Sequence, residues 1–238
     1  MEPTTYEKPS SNFLKKVRKI SDVNDAKLIL DEVITGFRFD LEGGQKYFDI
    51  KADFACFGKG MGNGLPISAI TGPAENMKIF DKLWVSSTNN SETLSLAGTI
   101  AVINEMKEKN TITQCWKIGT KLLDGWNKIT EKNNLNVKMN GYPIRMHLEC
   151  YDKNNIESSS LKALIMQEMI KKGIFISQSV TFISYSHTEE DVEKTLSSLD
   201  EVCKKINEKV ENENYEKYLD GNAPTVVWKM IIPPTKKI

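Results

Sequence analysis

Two short apolar runs constrain this chain more than any other sequence feature, because each stops abruptly at side chains that can do chemistry. The run at residues 28–30 ends at the carboxylates Asp31 and Glu32, and the run at residues 54–57 ends at Lys59, which lies between two glycines. Apolar runs of this length are typical of buried parallel strands. Since ligands of α/β sheets bind at the carboxyl ends of the strands, we expect the acids and the amine at one sheet edge.

A third apolar run, residues 67–70, ends at Thr71 and Gly72. We expect it to form a third strand whose end reaches the same edge. Asp31, Lys59 and a glycine-rich turn would then converge on one site.

An acid and an amine at one sheet edge suit a cofactor that needs both, and pyridoxal phosphate is such a cofactor. Its aldehyde forms a Schiff base with a lysine, and its ring withdraws electrons only while a neighbouring carboxylate keeps the ring nitrogen protonated. Lys59 is the expected Schiff-base lysine, and Asp31 is the expected partner of the nitrogen. Glycines on both sides of Lys59 would let the backbone approach the ring and phosphate without steric clash.

The segments around Asp31 and Lys59 carry a family resemblance. LILDEVITGFR and DFACFGKGMGNGLPISAITG resemble the DEV…GFR and FGK…GNG-P-SA motifs of class III aminotransferases of fold type I, including the glutamate-1-semialdehyde aminomutase branch. The order and separation of the two motifs are also similar. The resemblance implies an α/β fold, with part of a large cofactor-binding domain on a mostly parallel sheet at residues 1–109 and a small α+β domain at residues 110–238.

The resemblance also implies roles for two further residues. Val33 would pack against the cofactor ring. Thr88 lies in a loop that resembles the family's S-T-x-x-x-E-T/N-P motif, whose threonine binds the phosphate of the partner subunit's cofactor, so a homodimer is implied for the full-length protein. The implied substrates are a small-molecule amino donor and a carbonyl acceptor. Transaminase and aminomutase activities both remain open.

Members of this family usually carry a phosphate-binding turn and a ring-stacking aromatic residue well before the DEV motif, whereas residues 1–26 alone precede it here. The chain therefore resembles the C-terminal part of such an enzyme, and Glu2-Pro3 resembles the end of a sheet strand. With those contacts missing, we expect weak or absent pyridoxal phosphate binding by the chain alone.

Other interpretations remain open. Lys59 could be an ordinary turn lysine, Asp31 a strand-end acid, and Thr88 part of a solvated loop that caps the next helix. The whole chain could be a non-catalytic or split half that needs an N-terminal partner chain. It could also be a phosphate-binding module that uses the turn at residues 58–64, although that turn has neither the Walker nor the dinucleotide spacing.

Composition excludes several other classes. The 32 basic and 32 acidic residues cancel, which argues against a nucleic-acid or anionic-membrane surface. No apolar run approaches the roughly 18 residues of a membrane span and no signal sequence is visible, so we expect a cytoplasmic protein. The four cysteines are scattered without a CxxC pair, which predicts neither a zinc site nor a disulfide framework.

The rest of the chain alternates helical and strand patterns. We expect helices after Asn12, at residues 73–83, 94–107 and 113–131, after residues 158–160 and from Thr188, and strands within residues 137–151, 174–177 and 181–184. The helix at residues 94–107 is apolar and should be buried. Residues 158–160 should cap a helix whose apolar stripe is Leu161, Leu164, Ile165 and Met169, and Asp191 should complete a capping box at the start of the helix from Thr188. Residues 39–50 should form an irregular loop over the site, and residues 211–238 give no clear pattern.

Overall fold

The structure is a computed structural model that describes residues 8–210 and 213–222. Contacts divide these residues into two compact units. The first holds the described residues up to Leu123 with Gly141–Met146 and Phe182–Val192, and the second holds Asp124–Asn140, His147–Thr181 and the described residues from Glu193 onward. Neither unit ends at residue 110, and the domain division predicted from the sequence stays a prediction. The predicted strand end at Glu2-Pro3 and most of residues 211–238 lie outside the described residues.

The first unit contains a three-stranded sheet of β1 (Ile29–Asp31), β2 (Phe54–Phe57) and β3 (Ala69–Thr71), in that order. β1 and β2 run parallel, with Asp31 paired opposite Cys56, as the two apolar runs predict. β3 is antiparallel to β2, so the expectation that its end joins the same edge is wrong. Parallel neighbours need a long crossover connection, usually through a helix. The connection from β2 to β3 is short and contains no such helix, so the two strands pair antiparallel.

Four helices of the described chain lie wholly within the first unit: α1 (Phe13–Val23), α2 (Gly44–Tyr47), α3 (Ala74–Met77) and α4 (Thr93–Glu108). α1, α3 and α4 occupy the predicted places, and a 3-10 turn at Lys78–Lys82 extends α3. α2 is a short helical turn inside the loop expected at residues 39–50. α1 is anchored through Leu14, which is buried, whereas Phe13 and Ile20 are exposed.

The expectation that α4 is buried is wrong for the described chain. The buried residues of α4 are Ser95 and Thr99, while Leu94, Leu96 and Ile100 are exposed. Apolar side chains surround this helix instead of forming one stripe, and such a helix is stable in water only when it is covered on several sides. The described residues cover one side of it.

The remaining elements are α5 (Thr111–Lys132), β4 (Val137–Tyr142), β5 (Arg145–Cys150), α6 (Ser159–Lys171), β6 (Thr181–Phe182) and α7 (Glu189–Lys209). The three strands form a second sheet in the order β4-β5-β6. The strand predicted at residues 174–177 is absent from the structure. Ser177 instead accepts hydrogen bonds from the amides of Ser179 and Val180, and this local turn replaces a strand ladder.

The predicted helices α6 and α7 are confirmed together with their caps. Ser158 Oγ accepts a hydrogen bond from Leu161 N at 3.2 Å, and α6 buries the predicted stripe of Leu161, Leu164, Ile165 and Met169. α7 begins with a reciprocal cap, in which Thr188 N donates to Asp191 Oδ2 and Asp191 N donates to Thr188 Oγ1. No helix in the described part of the chain is long and apolar enough to cross a bilayer.

A buried carboxylate ties α6 to α7 within the second unit. Glu168 is buried and accepts hydrogen bonds from Lys205 and, at 3.0 Å, from Lys171. Burial by itself would raise the pKa of Glu168, but the two lysines outweigh that effect and hold the pKa at about 2. Lys171 also pairs with Asp220 at 2.8 Å, which holds the segment after the 3-10 turn Tyr215–Tyr218 against α6.

Gly119→Ala should destabilise the chain. A methyl group at this α5 position would lie 2.0 Å from the backbone oxygen of Pro143. Overpacking of this kind costs about 1–3 kcal/mol, which should exceed the gain of about 1 kcal/mol that alanine gives to a helix interior. Denaturant unfolding measures the difference. Gly221→Ala is the control, because a methyl group there meets nothing within 4 Å. Unchanged or higher stability of Gly119→Ala would show that this packing is wrong.

Glu168→Gln should lower stability near neutral pH and lose that effect in acid. The folded-state pKa of about 2 lies below the ordinary value of 4.5, so the ionised Glu168 stabilises the fold above pH 4.5. That contribution disappears as the pH falls from 4.5 to about 2. Denaturant unfolding of wild type and variant at several pH values tests this. Glu131→Gln, at an exposed acid, is the control. A wild-type advantage that grows in acid would contradict the prediction.

Candidate active site

The parallel register of β1 on β2 brings Asp31 and Lys59 to the same sheet edge. Asp31 ends β1 opposite Cys56, and Lys59 follows Cys56 by three positions. Paired strands are about 4.8 Å apart and three extended residues span at most about 11 Å, so the two Cα atoms are at most about 16 Å apart. Both side chains are exposed. The predicted acid and amine therefore both follow the carboxyl ends of paired parallel strands in the first unit.

One oxygen of Asp31 is held in place and the other is available. Asp31 Oδ1 accepts a hydrogen bond from the amide of Val33 at 2.9 Å. Within residues 8–210 and 213–222, Asp31 Oδ2 has no hydrogen-bond partner. A short turn of this kind fixes the carboxylate close to the strand end, where its second oxygen can accept a further hydrogen bond.

Val33 lies beside the residue that precedes the lysine. A methyl group at Gly58 would lie 3.6 Å from Val33 Cγ1, an ordinary van der Waals distance, and no other side chain approaches that position within 3.6 Å. Val33 is half-buried. Its branched side chain therefore lies between the strand end that carries Asp31 and the turn that carries Lys59.

Lys59 has an unusual backbone conformation. It begins the 3-10 turn Lys59–Met61 with φ +41°, in the left-handed region that residues with a Cβ rarely adopt. Its carbonyl oxygen accepts hydrogen bonds from the amides of Gly62 at 3.1 Å and Asn63 at 3.0 Å. The following turn therefore holds the lysine in a strained conformation, and such strain is enriched at functional sites.

Glu32 is a buried polar residue whose contacts sequence reasoning did not foresee. It is 1% exposed, and its carboxylate accepts hydrogen bonds from Gly44 N and Gln45 N, each at 2.8 Å, and from the hydroxyl of Thr35. The signal was present in the sequence. A carboxylate next to a buried strand must be satisfied by donors, and the Gly43-Gly44 pair downstream provides backbone that can approach it closely.

Thr88 is a predicted site residue that makes no contact with this sheet edge among the described residues. It is exposed in a turn of the polar loop before α4. Glu92 caps α4 by accepting hydrogen bonds from Leu94 N at 2.7 Å and Ser95 N at 2.6 Å. The loop therefore does cap the next helix, through Glu92, and this contact leaves Thr88 exposed.

Comparison with protein families and curated sequences gives a consistent result. The sequence profile of the class-III aminotransferases matches residues 5–203. The chain is 34% identical over 213 residues to glutamate-1-semialdehyde 2,1-aminomutase of Alkaliphilus oremlandii, covering 84% of this chain and 50% of the relative. It is 32% identical over 211 residues to the enzyme of the same name from Methanosphaera stadtmanae, covering 83% and 50%. The chain spans about half the length of these curated relatives.

Two transaminases are among the solved structures that this chain resembles in fold. An ω-transaminase from Sphaerobacter thermophilus matches with a TM-score of 0.73 at 21% identity, covering 82% of this chain and 48% of that one. A β-phenylalanine aminotransferase from Variovorax paradoxus matches with a TM-score of 0.71 at 20% identity, covering 84% and 49%. The predicted α/β fold class is therefore confirmed.

Proposed function

We propose an amino-transfer function for this chain, which belongs to the class III aminotransferase family. In this proposal the chain supplies the lysine and the acid of a pyridoxal phosphate site. The observation that carries the proposal is the pairing of Asp31 opposite Cys56, because it brings Asp31 and Lys59 to one edge. The balanced charge of the chain argues against nucleic-acid or anionic-membrane binding as an alternative function.

The residues at the edge fit pyridoxal phosphate. Asp31 Oδ2, which has no hydrogen-bond partner among the described residues, can accept a hydrogen bond from the protonated ring nitrogen, and the branched side chain of Val33 beside Gly58 offers an apolar surface for a flat ring. When bound, the cofactor supplies an aldehyde and an electron-withdrawing ring. Lys59 Nζ would hold the aldehyde carbon and, once displaced by a substrate amine, move a proton at the substrate carbon. Asp31 would hold the proton on the ring nitrogen through a charge-assisted hydrogen bond.

Two further contacts belong to the proposal. Val33 would pack against one face of the ring, a role that its position beside Gly58 supports. Thr88 would bind the cofactor phosphate of a partner subunit in a homodimer, a role that its exposure in a polar loop supports. A hydroxyl and a backbone amide together suit a phosphate oxygen.

The substrates we propose are a small-molecule amino donor and a carbonyl acceptor. The names of the curated relatives make isomerisation of glutamate-1-semialdehyde the first reaction to test, with intermolecular transamination as the second. Both reactions need the same lysine and the same acid. The choice between them depends on the substrate pocket and not on Lys59 or Asp31.

A split-enzyme half that needs an N-terminal partner chain, or a non-catalytic half, is the second candidate. The exposed apolar residues of the first unit favour it: Trp84 is 95% exposed and Leu94 is 68% exposed on α4. Apolar side chains exposed together mark surfaces that bind another protein or chain. A partner that covered α4 would also complete the site with the contacts that the family carries upstream.

Trapping the lysine tests the proposed function. The chain is incubated with pyridoxal phosphate, reduced with borohydride and mapped by peptide mass spectrometry, with and without the N-terminal half of the Alkaliphilus oremlandii relative. We expect a pyridoxyl group on Lys59 several-fold above any other lysine, and more of it when the N-terminal half is present. Asp31→Asn should weaken cofactor retention about 10- to 100-fold, the range for losing a hydrogen bond to a charged group.

Lys59→Arg should abolish the specific label, whereas Lys51→Arg, at an exposed lysine near the start of β2, should not. Equal labelling of surface lysines, or a label that survives Lys59→Arg, would overturn the proposed function. Turnover that appears only with the N-terminal half would identify the chain as a split-enzyme half. A specific label without turnover in either mixture would identify a non-catalytic chain.

A further inference from the structure

We propose that Glu32 is a positioning residue that holds Asp31 at the cofactor site by tying the end of β1 to the loop at residues 43–45. The inference rests on the proposed function, since it assigns Asp31 to the ring nitrogen. It adds a residue whose side chain never touches the cofactor. The two neighbouring acids would thus divide one task, with Asp31 making the contact and Glu32 fixing its position.

The surroundings of Glu32 are built for a carboxylate. Both oxygens are used, since Oε1 accepts from Gln45 N and Oε2 accepts from Gly44 N and the Thr35 hydroxyl. Among the described residues, Glu32 has no ion-pair partner. A buried carboxylate without a counter-ion is unfavourable unless neutral donors satisfy it, so three convergent donors indicate a specific arrangement.

The loop is shaped around this carboxylate. Gly43 has φ +87°, and a methyl group there would lie 2.8 Å from Glu32 Oε1 and 2.9 Å from the carboxyl carbon. Both the backbone angle and the close approach require glycine at this position. The loop backbone therefore rests directly on the Glu32 side chain.

The backbone of Glu32 is fixed to the sheet at the same time. Its amide donates to Cys56 O at 2.8 Å, and its carbonyl accepts from Gly36 N at 2.8 Å. Asp31 precedes it in the chain, and the Asp31 carboxylate accepts from the amide of Val33, which follows it. The Asp31 carboxylate is therefore positioned by the backbone of Asp31 and by the amide of Val33, which lie on either side of Glu32. A shift of Glu32 moves both of these residues.

The far side of the loop is anchored by aromatic packing. Tyr47 of α2 stacks on Trp116 of α5, with ring centroids 5.2 Å apart, and Trp116 Nε1 donates to Phe39 O at 3.0 Å. Phe39 and Tyr142 meet edge to face at 4.8 Å. These contacts keep the loop in one position, so its amides give Glu32 a fixed anchor. The geometry connects α5 to Asp31 through the loop and the Glu32 carboxylate.

Glu32→Gln in the full chain tests the proposal. The carboxamide keeps the size of the side chain but turns an NH₂ group toward backbone amides that are themselves donors. Hydrogen exchange of the Gly44 and Gln45 amides should accelerate by about tenfold or more, the factor for losing a hydrogen bond to a charged acceptor. Exchange of the Val33 amide should accelerate with them, because its acceptor Asp31 has moved. Glu42→Gln, at an exposed acid of the same loop, should leave all three amides unchanged.

Cofactor retention separates positioning from a merely structural role. With the N-terminal half of the Alkaliphilus oremlandii relative present, Glu32→Gln should weaken pyridoxal phosphate retention by the full chain. It should add little in an Asp31→Asn background, because both changes act through the same carboxylate. Gly43→Ala disturbs the contact between the loop and the Glu32 carboxylate from the loop side, and it should reproduce the behaviour of Glu32→Gln. It also keeps the test decisive if Glu32→Gln does not fold.

The proposal is overturned if loop amides exchange faster while Val33 does not, or if the effects of Glu32→Gln and Asp31→Asn simply add. Failure of the proposed function looks different. In that case Asp31→Asn by itself leaves cofactor retention unchanged, whatever Glu32→Gln does to hydrogen exchange.

Discussion

The parallel pairing of β1 with β2 is the interaction on which the candidate site depends. It places Ile29 opposite Phe54 and Asp31 opposite Cys56, and the buried side chains of Leu30 and Ala55 hold it in register. A slip of one residue would turn Asp31 toward the interior and displace it by about 3.3 Å along the strand. The acid and the lysine share an edge only in the observed register, so the chemistry proposed for the chain is a consequence of strand pairing.

Two adjacent carboxylates have opposite environments because a strand alternates its sides. Along β1 and the following residue, Ile29 and Asp31 are exposed whereas Leu30 and Glu32 are buried. The outward acid keeps an oxygen available for a ligand, and the inward acid is saturated by donors from Thr35 and the loop. Identical functional groups thus acquire different surroundings from position alone. The aromatic contacts of the loop then connect this arrangement to α5.

The sequence predicts those elements whose side-chain pattern is local. β2 follows from a continuous apolar run, α6 from an apolar stripe with a serine cap, and α7 from a cap formed by Thr188 and Asp191. The structure has all three where the pattern predicts them. The edge that holds Asp31 and Lys59 follows from the same reasoning, because parallel strands end together. The roles of Asp31, Val33, Lys59 and Thr88 remain predictions.

What the sequence does not predict depends on contacts between distant segments. The antiparallel direction of β3 is decided by how the chain returns after Lys59, and apolar content cannot specify it. The apolar composition of α4 predicts burial but does not say what covers the helix, and the described residues leave Leu94 exposed. Glu32 is satisfied by amides twelve and thirteen residues away, in a loop whose shape a linear pattern does not reveal.

The most direct test of the account is a crystal structure of the chain after borohydride trapping with pyridoxal phosphate. We predict a pyridoxyl group bound to Lys59 Nζ, with its ring nitrogen within hydrogen-bond distance of the Asp31 carboxylate and Val33 against the ring. A ring that extends away from Asp31, with its nitrogen in solvent or bound to another residue, would contradict the claim that one sheet edge brings this acid and this amine to the same cofactor.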